Sequence, residues 1–178
     1  MYRAMLIGAL AAVVGLAAPA LGSSRGQEFR AVLSGFNETG SLNAETGAIL
    51  SEGSGVVEVK LDPNSQTLSF TLKFQNLSSP VTQAHIHFGK DHVPGGVMVF
   101  FCSNLATAPA GVQPCPASGG TVTGTVSAAS FLAIAGQNVP AGNFDAVADA
   151  LLSDSAYANV HTTNFPAGEI RGQLVREF

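Results

Sequence analysis

Between Thr67 and Phe74 the chain alternates without a break, with Leu68, Phe70, Leu72 and Phe74 on one side and Thr67, Ser69, Thr71 and Lys73 on the other. A period of two marks a strand with one buried face. Asp62-Pro63-Asn64-Ser65 just ahead of it is a turn, and Val57, Val59 and Leu61 alternate before that turn, so the two runs form a hairpin. The pattern recurs at Phe29, Ala31 and Leu33, and further strands are read from Val81 to Phe88, as a continuous apolar run from Val97 to Phe101, from Thr121 to Val126, from Tyr157 to Thr162 and from Glu169 to Val175. Two short helical segments interrupt it. Ser127 is placed to cap a turn running to Ala135 with Gly136 as its stop, and Asn143 to cap a helix burying Phe144, Val147 and Leu151. Strands at short intervals joined by Gly-rich turns predict an all-β fold. The expected architecture is an antiparallel Greek-key β-sandwich or flattened barrel of about eight strands, with one or two short helices in its connections.

Composition narrows the class further. The chain has 178 residues, 46% hydrophobic and 11% charged, which is long enough for one domain with a real core and too apolar for disorder. Eight Lys plus Arg against twelve Asp plus Glu give a net charge of −4 without any basic run, which excludes nucleic acid as the expected partner. Met1 to Gly22 reads as a secretory signal peptide: Arg3, an apolar run from Ala4 to Ala18, then small residues at the exit. The expectation is a leader over 1–22, a domain over 23–178, and a secreted or periplasmic protein. No later run is long enough to span a bilayer. Cys102 and Cys115 are the two cysteines, and in an oxidising compartment their default state is a disulfide closing the loop between them. Asn37-Glu38-Thr39 and Asn76-Leu77-Ser78 are glycosylation sequons.

All four histidines fall in two short segments, Ala84-His85-Ile86-His87-Phe88-Gly89-Lys90-Asp91-His92 and Tyr157-Ala158-Asn159-Val160-His161-Thr162. On a strand His85 and His87 share a face, while Ala84, Ile86 and Phe88 turn to the core. His161 lies opposite Val160. Two imidazoles at i and i+2 with a third from another strand make a three-nitrogen site with an open position, a donor set that suits zinc or copper. His92 is the weaker fourth candidate. The plainer reading makes these rings hydrogen-bonded locks between strand ends. Glu169, Arg171 and Gln173 share a second face, where Arg171 either steers an anion or pairs with an acid or carbonyls in a fixed corner, with Glu169 beside it. No nucleophile elbow, phosphate loop or dinucleotide fingerprint is present.

Three of these segments together resemble a CHRD domain, the module named after chordin. They are Phe29-Arg30-Ala31-Val32-Leu33-Ser34-Gly35 with Glu38 after it; Ala84-His85-Ile86-His87 followed by Gly95-Gly96-Val97; and Tyr157 to Thr162 with Gly168-Glu169-Ile170-Arg171-Gly172-Gln173-Leu174. The resemblance implies a secreted module and carries no settled activity. His85-Ile86-His87-Phe88-Gly89-Lys90-Asp91 is also similar to the copper-binding strand of copper–zinc superoxide dismutase, a Greek-key barrel with a structural disulfide. That likeness implies His85, His87 and His161 as copper ligands and Arg171 as an anion guide, but no bridging histidine with a following zinc-ligand series is found. The leading expectation is a non-catalytic secreted module whose histidine face binds copper or zinc, or an unidentified protein partner. A mononuclear copper enzyme acting on superoxide and a purely structural envelope or matrix protein are the alternatives.

Overall fold

The structure is a computed structural model that describes residues 26–39 and 47–177, so the expected leader over 1–22 lies outside the described residues. Nine antiparallel strands form one sheet: β1 Gln27–Ser34, β2 Ser54–Asp62, β3 Thr67–Gln75, β4 Val81–Phe88, β5 Gly96–Ser103, β6 Gly120–Val126, β7 Ala156–Thr162, β8 Ile170–Gln173 and β9 Val175–Arg176. The hairpin expected around Asp62 is β2–β3, and the Asp62 carboxylate accepts from Asn64 N at 2.9 Å inside its turn.

Neighbouring strands run β5-β4-β7-β8-β1-β2-β3-β6, with short β9 against β1. The links from β3 to β4 and from β6 to β7 cross between the two halves, which is the expected Greek-key wiring of a nearly closed barrel. Inside it, Phe29, Leu33, Leu61, Leu72, Ile86 and Ile170 are buried, all drawn from the apolar sides of the alternating runs. The expected last strand breaks at Leu174, whose side chain is fully buried while Val175 beyond it is exposed, so β8 and β9 pair separately.

The sheet has one seam, between β5 and β6. The Phe70 and Phe101 rings meet edge to face at 4.8 Å. Gln113 then bridges the seam: its Nε2 donates to Phe101 O on β5 at 3.2 Å and to Thr123 O on β6 at 2.9 Å. The loop carrying Gln113 is closed by the Cys102–Cys115 disulfide, whose Cα atoms are 5.0 Å apart. Asn104 reinforces it, donating to Val81 O and Cys115 O and accepting from Cys115 N. The cross-link therefore holds the group that satisfies both strand edges.

Of the two expected helices, one forms. Asn143 Oδ1 accepts from Ala146 N at 3.0 Å and caps α1, Phe144–Leu152, which buries Phe144, Val147, Ala150 and Leu151. The segment from Ser127 to Ala135 is not a helical turn. Ser127 makes no side-chain cap, and two 3-10 turns, Ala128–Ser130 and Ala135–Gln137, flank extended chain. Here Leu132 N donates to Met98 O of β5 and Ile134 pairs with Val139. An edge carbonyl needs a donor, and that need outweighs local propensity. No helix among the described residues is long and apolar enough to cross a membrane.

Removing the cross-link tests this account of the seam. Cys102→Ser with Cys115→Ser is expected to lower unfolding stability by about 3 kcal/mol in a urea titration, the chain-entropy value for a loop of this length. A loss under about 1 kcal/mol would show that the loop is held independently of its disulfide.

Candidate metal centre

Beta pairing brings the histidine segments side by side. In the β4–β7 register Gln83 pairs with His161, His85 with Asn159 and His87 with Tyr157; in the β7–β8 register Asn159 pairs with Arg171. Alternation sends Ala84, Ile86, Ala158 and Val160 into the barrel and puts His85, His87, Tyr157, Asn159, His161 and Arg171 together on the outer face. That face is covered. His85 is 1% exposed, His87 7%, His161 6%, Asn159 3% and Arg171 1%. Residues 89–95 and 163–168, with Glu38 from beyond β1, supply the polar groups that meet them.

One nitrogen from each of His85, His87 and His161 lies within 4.8 Å of the other two. The proton positions follow from their neighbours. His87 Nδ1 lies 2.9 Å from Gly95 O and His161 Nδ1 3.0 Å from Pro166 O, so both rings donate there and leave a lone pair on Nε2. His85 Nδ1 is 3.2 Å from His87 Nε2. Two nitrogens bound at about 2.0–2.1 Å to one tetrahedral ion stand about 3.4 Å apart, so the closest pair already has ligand spacing, while the widest must close by about 1.4 Å. A backbone carbonyl behind each of two ligand rings is the usual outer support of a metal-binding histidine. The donors present fit copper or zinc.

Glycines shape the cover. A side chain on Gly95 would start 1.7 Å from Phe88 O, so only a bare backbone brings the Gly95 carbonyl to His87. Gly168 has φ +134, and a Cβ there would fall 2.4 Å from Glu38 Oε1 and 2.8 Å from Asn159 Nδ2. The Tyr157 ring stacks on His87 at 4.7 Å with 2° between planes, and Arg171 Cζ lies 3.4 Å from the Tyr157 centroid. Arg171 Nη2 donates to Lys90 O and Val93 O, whereas its buried Nε has no partner. A cleft of about 350 Å³ opens beside them, lined by Glu38, His87, His92, Tyr157, Asn159 and Arg171.

Two expected site residues stand apart from the triad. His92 is exposed next to Asp91 at 3.7 Å; it borders the cleft without joining the three rings. Glu169 precedes β8 and does not share a site with Arg171: it accepts from Ser51 Oγ, Ser78 N, Ser78 Oγ and Thr162 Oγ1 at 2.6–2.9 Å. Burial pushes its carboxyl upward, but those four bonds outweigh it and hold the group below its usual range. Glu169 is a strut tying three segments together. Two residues at the site, Asn159 and Glu38, were not among the candidates. Asn159 was discoverable two positions before His161 on the same strand face. Glu38 comes from a distant loop with no periodicity to reveal its direction.

Burial sets the electrostatics. Desolvation lowers all three imidazoles, His161 to about 4 and His85 well below its ordinary value with help from the neighbouring His161 and His87. They are neutral at physiological pH, the state a metal requires. Desolvation raises Glu38 from 4.5 to about 7 despite the opposing charge of Arg171. A carboxyl whose folded value is raised adds stability that is complete below about 4.5 and lost as pH climbs through about 7. Metal-free wild type is therefore expected to lose about 3 kcal/mol between pH 4 and 8 relative to Glu38→Gln, by denaturant titration across pH. Parallel stability curves for the two proteins would contradict the burial of this carboxyl.

The family model for the CHRD domain matches residues 29–174, a span holding β2 to β8 whole, most of β1 and all three clustered histidines. A search of curated proteins and a search of solved structures each return no match. The opening Phe29 segment, the His85-Ile86-His87 strand and the closing run through Leu174 thus belong to one domain, and the chain is a member of the CHRD domain family.

Proposed function

We propose that this CHRD module is exported and binds one transition-metal ion, copper in preference to zinc, through His85, His87 and His161. The observation that carries this reading is the convergence of three buried imidazoles, two of them aimed by Nδ1–H bonds to main-chain carbonyls. Affinity for nitrogen donors rises to Cu(II) and falls again at Zn(II), which favours copper when both are available. The disulfide and the leader read from the first 22 residues support export. When bound, the ion supplies Lewis-acid or one-electron redox chemistry. The chain's own residues orient the rings, exclude bulk water from two sides and leave the cleft as a path.

The cleft favours a second reading, in which copper turns over superoxide or a similar small oxidant, because the Arg171 guanidinium lies at its wall. Binding is measured first, by titrating tag-free protein with Cu(II) and Zn(II). One equivalent is expected, with at least a tenfold weaker Kd in His85→Ala and in His161→Ala. Saturating metal at about 100 Kd adds about 2.7 kcal/mol, so the thermal midpoint of the wild type should rise by about 5–10 °C and return with chelator. Binding unaffected by either substitution, or a midpoint insensitive to chelator, sinks the metal reading and leaves the histidines as strand locks. Superoxide decay no faster than with free buffer removes the enzymatic reading alone.

A further inference from the structure

We propose that Asn159 supplies a fourth ligand, its amide oxygen, to the ion held by His85, His87 and His161; this rests on the metal-binding reading above. The argument starts from two hydrogen-bond acceptors facing each other. His161 donates through Nδ1 to Pro166 O, and an imidazole with its one proton on Nδ1 presents a lone pair at Nε2. Asn159 Oδ1 lies 2.9 Å from that nitrogen. No proton is available to lie between them, and an oxygen lone pair held against a nitrogen lone pair is repulsive unless a cation sits beside both.

The amide has a reason to keep this orientation. Asn159 Nδ2 and Glu38 Oε1 both crowd the point where Gly168 has no Cβ, so the amide nitrogen lies on the Glu38 side. The oxygen is thereby aimed toward His161. His87 also keeps its proton on Nδ1 for Gly95 O, its Nε2 lies 3.2 Å from His85 Nδ1, and buried His85 Nε2 has no partner. Asn159 Oδ1 thus stands beside the three-ring cluster with no proton between it and His161 Nε2.

Spacing and register agree. Two cis donors of a tetragonal Cu(II) site, each at about 2 Å from the ion, stand about 3 Å apart, matching the separation of Oδ1 from His161 Nε2. Asn159 is the direct β-sheet neighbour of His85 and precedes His161 by two positions, so the pleat that gathers the histidines carries the amide with them. Three imidazoles and a neutral oxygen make an N₃O set suited to Cu(II), whose tetragonal sites take nitrogen and oxygen together.

The test is a crystal structure of the Cu(II)-loaded protein together with competition titrations of the variants. Oδ1 within about 2.5 Å of the ion is expected, with Asn159→Asp keeping wild-type affinity or better and Asn159→Leu binding at least tenfold more weakly. An Oδ1–copper distance beyond about 3 Å overturns the assignment, as does a Leu variant that binds as tightly as wild type, even while His161→Ala still abolishes binding. Loss of the histidine dependence itself is a different result and would instead refute the metal site. Circular dichroism of each metal-free variant establishes that a weakened Kd does not reflect unfolding.

Discussion

The structure depends on burying polar groups on the wrong side of a sheet. Along β4, β7 and β8 the inward positions are aliphatic, as any barrel requires, but the outward positions carry imidazole, amide, phenol and guanidinium groups that loops then seal from water. A desolvated polar atom without a partner costs on the order of 1–3 kcal/mol, so every covering loop has to bring hydrogen-bonding groups with it. The carbonyls of Lys90, Val93, Gly95 and Pro166 are those groups, and the bare glycine backbone at Gly95 is what admits one of them.

Even so, the outer face is not fully satisfied. His85 Nε2, Arg171 Nε and Glu38 Oε1 are buried without partners. Glu38 and Arg171 line one cleft, and His85 sits beside His87 on its wall. Polar burial concentrated beside an opening is a common mark of a site that trades stability for binding or chemistry. By contrast, the neighbouring carboxylate of Glu169 accepts four bonds and does structural work alone. Two acids of similar burial thus take different roles because one has donors around it and the other has few.

A parallel logic governs the seam beside β5. The β5 and β6 edges do not bond each other, and their backbone groups are met by Gln113 and by the extended chain around Leu132. Both coverings come from irregular segments, and the disulfide closes the loop that carries the more important one. Edge protection here is achieved by side chain and loop, without completing the ring of strands.

How much of this was legible beforehand differs by level. Alternation at Leu68 to Phe74 and around His85 determined strand identity and which residues share a face, because a period of two follows from the pleat alone. It also paired His85 with His87, and the two cysteines had no partners but each other. The Ser127 segment misled because its propensity is local whereas its hydrogen bonds go to β5. Glu169 lies one residue before β8, and its four bonds match the structural one of its two expected roles. Tertiary structure alone decided that β7 lies beside β4, that His161 and Asn159 therefore reach the β4 rings, and that Glu38 returns from a remote loop to meet them. Strand order and loop return depend on long-range closure of the barrel, for which no periodicity within a segment carries information.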